Sequence, residues 1–240
     1  MAVALALGLS ATAACSGGIA GPVAPSPGLG SVPSVTKSAA PTTGSAPTPA
    51  ESIPEPSETS PGPGETKPGI KMNVVPRRDG SFDVTEDVML PKATDIIQLQ
   101  LPTSGEHLPG MMTPTKPMAT ELQILADGQS VPLAQSVVDA PQDLPLTQAA
   151  TKLRLTYRLV GSTLRRTAAK PRRAVSALRP LTAITDGMLP TNLTVTGGLL
   201  NAVCPLLTET RCAVGDPPVL GVLQGIPADK ALVVVQLDLP

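Results

Sequence analysis

From about residue 71 onward, apolar and polar side chains alternate with a period of two, and helical periodicity is weak. The clearest run is Lys152-Leu153-Arg154-Leu155-Thr156-Tyr157-Arg158-Leu159. Leu153, Leu155, Tyr157 and Leu159 face one way and the polar residues the other, the spacing of a half-buried strand. Phe82 to Leu90 alternates in the same manner after the turn signal Asp79-Gly80, and Ile96 to Leu101 alternates again. Leu122 to Leu125 runs into a second turn signal, Asp127-Gly128, followed by Val131 and Leu133. Asn192 to Thr196 and Val219 to Leu223 are further strand candidates. Ala231 to Leu239 contains Leu232-Val233-Val234-Val235, apolar on both faces, which predicts a central strand covered on both sides. Pro171 to Arg179 is the exception. Pro at a first helical position, with Ala174, Val175 and Leu178 on one face, predicts a short helix. About eight short strands separated by Gly and Pro predict a mainly β domain, an antiparallel sandwich or a barrel-like closure.

The N-terminal part has a different pattern. Residues 2–14 are uncharged, mostly apolar and end at Cys15, which Ser16-Gly17-Gly18 follows. A bilayer span needs about 20 apolar residues, so this run is too short for one and suits the apolar region of an export signal. Residues 16–70 hold twelve prolines and no aromatic residue. Such a segment buries too little apolar surface to offset its ordering entropy. It predicts a spacer with a reach of roughly 40 Å as a coil and well over 100 Å extended. Three parts follow: a signal at 1–14, Cys15 with a disordered linker to residue 70, and a β domain at 71–240.

Ala13-Ala14-Cys15, after the apolar run, resembles the signal of bacterial lipoproteins. The resemblance covers about the first eighteen residues. Thr12 stands where that family has a Leu-like residue, and the first charged side chain is Lys37. The resemblance implies that Cys15 becomes the lipid-bearing N-terminus. The protein would then be exported and anchored at the outer face of the cytoplasmic membrane, in the cell envelope. The Ala, Pro, Thr and Gly bias fits an actinobacterial source. If Cys15 carries lipid, the remaining cysteines, Cys204 and Cys212, form a disulfide, which contributes roughly 2–3 kcal/mol for so short a loop. A two-cysteine metal site and two free buried thiols are the alternatives. The first has little support, because the one histidine, His107, is distant in sequence.

Net charge is −1 and the aromatic residues are Phe82 and Tyr157 alone, with no Trp. Base and sugar stacking both use aromatic faces, so nucleic acid is not an expected partner. The folded part is asymmetric in charge: nine basic residues and no acidic one lie between Asp143 and Asp186. Seven of them, Arg154, Arg158, Arg165, Arg166, Lys170, Arg172 and Arg173, form a candidate anion-binding surface for lipid headgroups or a cell-wall polymer. The competing reading is a solvated face that balances acidic neighbours.

Candidate chemistry is sparse. His107 lies beside Glu106 in a Pro- and Met-rich stretch and reads as a surface residue of a loop. Ser34-Val35-Thr36-Lys37 matches a penicillin-binding pattern, but it lies within the linker and has no partner motif. Asn192-Leu193-Thr194 matches a glycosylation sequon, which marks an exposed loop where that modification operates. Alternation turns Asp83 and Asp87 outward and Glu86 inward, so Glu86 is the acidic residue expected to be buried with a partner. No cofactor or metal is expected. These features predict a non-enzymatic envelope lipoprotein whose tethered β domain binds a protein partner or an anionic envelope component. A carrier of an apolar ligand, and an envelope enzyme using His107, are the alternatives.

Overall fold

The computed structural model describes residues 62–240. The signal at 1–14, Cys15 and most of the linker lie outside the described residues. The described chain is mainly β, as the alternation predicts. Its strands are β1 (Gly69–Pro76), β2 (Phe82–Leu99), β3 (Met118–Ala126), β4 (Gln129–Ser130), β5 (Gln142–Val160), β6 (Thr163–Arg165) and β7 (Arg172–Leu178). They continue with β8 (Pro190–Val195), β9 (Leu199–Val203), β10 (Ala213–Val214), β11 (Gly221–Val222), β12 (Ile226–Pro227) and β13 (Val233–Leu239). A seven-stranded sheet has the order β12-β8-β1-β2-β5-β3-β4, a four-stranded sheet has β6-β7-β13-β9, and β10 pairs with β11. The large sheet ends at β12 and β4 without closing, so this is a layered arrangement and not a barrel. Pairing is antiparallel throughout except between β1 and β8, which run parallel.

The alternation decides which side chains fill the core. β1 turns Ile70, Met72 and Val74 inward, β2 turns Phe82, Val84 and Val88, and β5 turns Leu153, Leu155, Tyr157 and Leu159. The four-stranded sheet supplies Ala174, Leu178, Ala202, Val233, Val235 and Leu237 to the same cluster. Aliphatic side chains of both sheets fill the core between them.

β13 lies between β7 and β9, the central place its two apolar faces predict. Val233 and Val235 face the main core. Val234, with Leu232, Val175 and Ala177, faces a smaller cluster on the far side of the sheet. Leu108 and Met111 cover that far side. They come from a flap whose ends are tied by reciprocal bonds: Gly105 N–H donates to Thr115 Oγ1 (2.9 Å) and Thr115 N–H to Ser104 Oγ (3.0 Å).

Two expectations are corrected. Pro171 to Arg179 is not a helix; β7 occupies it and pairs with β13 over its full length. A helix would bury only one stripe of this segment, whereas Ala174, Val175, Ser176, Ala177 and Leu178 are all buried. Of Val219 to Leu223, only Gly221–Val222 is a strand. Leu155 is fully buried at the centre of β5, so Leu155→Ala is expected to cost about 2–5 kcal/mol in a urea titration. A change below about 1 kcal/mol would show that the layers do not close over it.

Candidate functional site

β2 and β5 pair as a long antiparallel ribbon with two closely spaced register shifts. The register steps from Met89–Lys152 to Thr94–Ala150 and then to Ile96–Pro145. Leu90 to Ala93 on β2 and Leu146 to Ala149 on β5 are therefore left out of the ladder. A proline marks each strand there, Pro91 and Pro145, and proline cannot donate to a ladder. On its other side, β5 pairs with β3 only as far as Ala126–Leu153. The chain then turns at Asp127 and Gly128, both at positive φ (46° and 81°).

Asp127 seals that end. Its carboxylate accepts the N–H groups of Lys152 (2.9 Å) and Thr151 (3.3 Å) together with the Thr151 hydroxyl (3.4 Å), and its own N–H donates to Lys152 O (2.7 Å). Beyond this clamp Leu146 to Ala149 remains extended. Thr147, Gln148 and Ala149 are exposed. Among the described residues none of Leu146 to Ala149 has a ladder pair on β2, and beyond Leu153 β5 has no strand partner on its β3 side. This stretch forms one wall of a groove of about 260 Å³, with Ala126, Asp127, Gln129, Ser130 and Val131 on the other. Sequence reasoning named the Asp127-Gly128 turn but missed the groove. Pro91 and Pro145, each interrupting an alternating run, were the signal that could have found it.

Glu86 is fully buried, as its alternation predicts. Its carboxylate accepts the backbone N–H of Leu181 (2.8 Å) and of Thr182 (3.1 Å), the Thr182 hydroxyl, and at 3.5 Å the Tyr157 hydroxyl. Burial pushes the Glu86 carboxyl above its ordinary range, outweighing the four donors that favour its charged form. Burial, then the neighbouring Glu86, pushes the Tyr157 hydroxyl well above its usual value, which keeps it a donor. Glu86 therefore fixes the crossover from β7 to β8 against the large sheet.

The seven basic candidates separate into two groups. Arg154 and Arg158 stand on the solvent face of the large sheet, paired with acids from neighbouring strands. Arg154 Nε lies 3.5 Å from Asp87, and Arg158 reaches Asp83 at 3.4 Å and Glu121 at 2.9 Å. Arg165, Arg166, Lys170, Arg172 and Arg173 belong to the β6–β7 hairpin. There Arg165 donates to Arg78 O (3.2 Å), Arg166 to Gly110 O and Met111 O, and Arg172 to Pro240 O (3.0 Å), while Arg173 approaches Asp238 at 3.7 Å.

Cys204 and Cys212 form a disulfide. His107 and Glu106 are exposed on the flap. Asn192 lies in β8 and not in a loop, and its Oδ1 accepts the Gly225 N–H at 2.9 Å. Among the described residues, no group of three or more His, Cys, Asp and Glu side chains is placed to hold a metal ion.

No protein-family model matches the chain, and no characterised protein matches it in sequence. Its fold is similar to parts of larger solved proteins. One is an aminopeptidase N family protein from Idiomarina loihiensis, with a TM-score of 0.41 and 14% identity over 70% of this chain and 29% of that one. Another is an M1 zinc metallopeptidase from Deinococcus radiodurans, at 0.30 and 19%, over 71% and 42%. A third is a two-domain M1 zinc metallopeptidase variant bound to L-arginine, at 0.31 and 16%, over 71% and 41%. The chain thus spans less than half the length of each. The solved proteins are described as an aminopeptidase N family protein and M1 zinc metallopeptidases, and this finding corrects the expectation of a non-enzymatic envelope lipoprotein that binds a partner or an anionic component. With every TM-score below 0.5, the likeness assigns no peptidase activity to this chain.

Glu86→Ala leaves two buried N–H groups and the Thr182 and Tyr157 hydroxyls without their acceptor, and is expected to cost about 3 kcal/mol or more. Glu86→Gln isolates the titration. A raised folded-state pKa means the native protein holds the Glu86 proton to higher pH than the unfolded chain does. The resulting stability is fully present below the unfolded value of about 4.3 and is lost as pH rises through the folded one. The stability of the native sequence relative to Glu86→Gln should therefore fall with rising pH in denaturant melts. A flat difference would show that Glu86 titrates alike in both states.

Proposed function

We propose that this domain binds an extended polypeptide segment by strand addition along Leu146 to Ala149 of β5. The observation that carries the reading is an extended stretch of β5 without a ladder pair, exposed from Thr147 to Ala149, with a groove beside it. A row of free N–H and C=O groups in β geometry is complementary to another extended backbone, and main-chain hydrogen bonds then supply the affinity. Each bond contributes only about 1 kcal/mol net, so so short an addition gives a weak contact, on the order of 0.1–1 mM. The bulged register supports the reading, since bulges gather at sheet edges and beside binding sites, where they end pairing and re-aim side chains.

A blocked pentapeptide, acetyl-Thr-Thr-Val-Thr-Thr-amide, is expected to give saturable NMR shifts and slowed amide exchange at Thr147, Gln148 and Ala149. Gln148→Pro removes one donor and blocks the edge, and should abolish the effect, while Gln148→Ala should retain it. Absence of any saturable change at these amides would overturn the reading.

Location is the second part of the proposal. The Cys204–Cys212 disulfide supports an oxidising compartment. The Cys15 signal, outside the described residues, supports export with a lipid anchor. Cys15→Ala is expected to move the protein from the membrane to the soluble fraction, and unchanged partitioning would remove the anchor.

A further inference from the structure

We infer that the β5 groove selects an uncharged segment with a small aliphatic side chain at the position facing its floor. This rests on strand addition at the same site and adds the chemistry of the peptide it takes. Leu146 (8% exposed), Ala150 (2%) and Val131 (8%) make the floor. Gln129, Ser130, Thr147 and Gln148 line the rim, all neutral and polar. They can donate to and accept from a peptide but cannot neutralise a charge.

One ionisable group lines the groove, Asp127, and its carboxylate is already engaged by Thr151 and Lys152. A cationic side chain entering here would have to draw Asp127 from the clamp that ends β5 pairing. An anionic one would meet that carboxylate as a like charge. A charge taken from water with no partner loses far more than a small aliphatic group gains. The groove therefore discriminates mainly by exclusion, the repulsive half of specificity.

Size sets the second limit. The whole groove encloses about 260 Å³, and a β-strand directs every second side chain to one face. In a five-residue segment the central side chain points at the Leu146–Ala150 floor while its neighbours point to the rim and solvent. Val or Ala fits such a floor. A large aromatic side chain at that position would hold the backbone away from Leu146 to Ala149 and prevent the hydrogen bonds from forming.

The test uses the described domain as part of the full chain and five blocked peptides of the form Thr-Thr-X-Thr-Thr, with X as Val, Ala, Lys, Glu or Trp. NMR titration reads the shifts at Thr147 to Ala149. The expected result is saturable binding for Val and Ala, and at least tenfold weaker binding for Lys, Glu and Trp. Gln129→Lys is expected to recover the Glu peptide selectively, because it supplies the partner the groove lacks, and to leave the Lys peptide excluded. Equal binding of all five peptides would overturn the selectivity while leaving strand addition intact. Absence of binding by every peptide, with unchanged amide exchange at Thr147 to Ala149, would overturn both.

Discussion

The pairing of β2 with β5 is the interaction on which the rest of the domain depends. The two strands stand at the middle of the seven-stranded sheet, with β1, β8 and β12 on one side and β3 and β4 on the other. Their inward side chains form much of the main core. β2 also carries Glu86, whose carboxylate captures the two N–H groups of Leu181 and Thr182 as the chain leaves the four-stranded sheet. One ladder thus sets the sheet, the core and the link between the layers. A buried backbone donor must find an acceptor. A carboxylate is an acceptor strong enough to hold several donors at once, even where burial disfavours its charge.

The same ladder explains the groove. β2 and β5 have 18 and 19 residues, about three times the usual strand length of 5–6. Twist accumulates along strands of this length, and bulges locally absorb it. Here Pro91 lies in the lapse on β2, and Pro145, paired with Ile96, borders the lapse on β5. Asp127 then ends β3 before it can cover the lapse, because its carboxylate occupies the N–H groups of Thr151 and Lys152. The gap in the ladder at Leu146 to Ala149 coincides with three local features, two prolines and one turn aspartate. The flap that covers Val175, Ala177 and Val234 solves a different exposure problem, because a central strand that is apolar on both faces cannot leave one of them wet.

Much of this was legible in the sequence where one local pattern decides one local outcome. The alternation in Lys152 to Leu159 gave the buried face of β5. The apolar run Leu232 to Val235 gave a central strand, and the phase of Phe82 to Leu90 turned Glu86 inward. Segments with two compatible periods were not legible. Pro171, Ala174, Val175 and Leu178 suit a helix by spacing, and only pairing with β13, some sixty residues later, makes them β7. The groove was hidden because it arises from register between two segments about fifty residues apart. Pairing of Arg154 and Arg158 was hidden for the same reason. Asp83 and Asp87 come from β2, and Glu121 reaches Arg158 from a bulge in β3 where its φ is 57°.

Those ion pairs bear on why the proposed strand addition is assigned to the groove and not to the broad face beside it. Exposed pairs of this kind contribute little to stability, about 0–1 kcal/mol each. Their physical consequence is exclusion. Arg154 with Asp87, and Arg158 with Asp83 and Glu121, lace the solvent face of the sheet with alternating charge, a device that discourages other strands and apolar surfaces from adhering. Within the groove the one charged side chain is Asp127, already engaged by Thr151 and Lys152. Leu146 to Ala149 and the facing Gln129, Ser130 and Val131 are neutral. An extended uncharged segment approaching this side therefore meets a face that keeps its water, and one short edge where its backbone can exchange water for β hydrogen bonds.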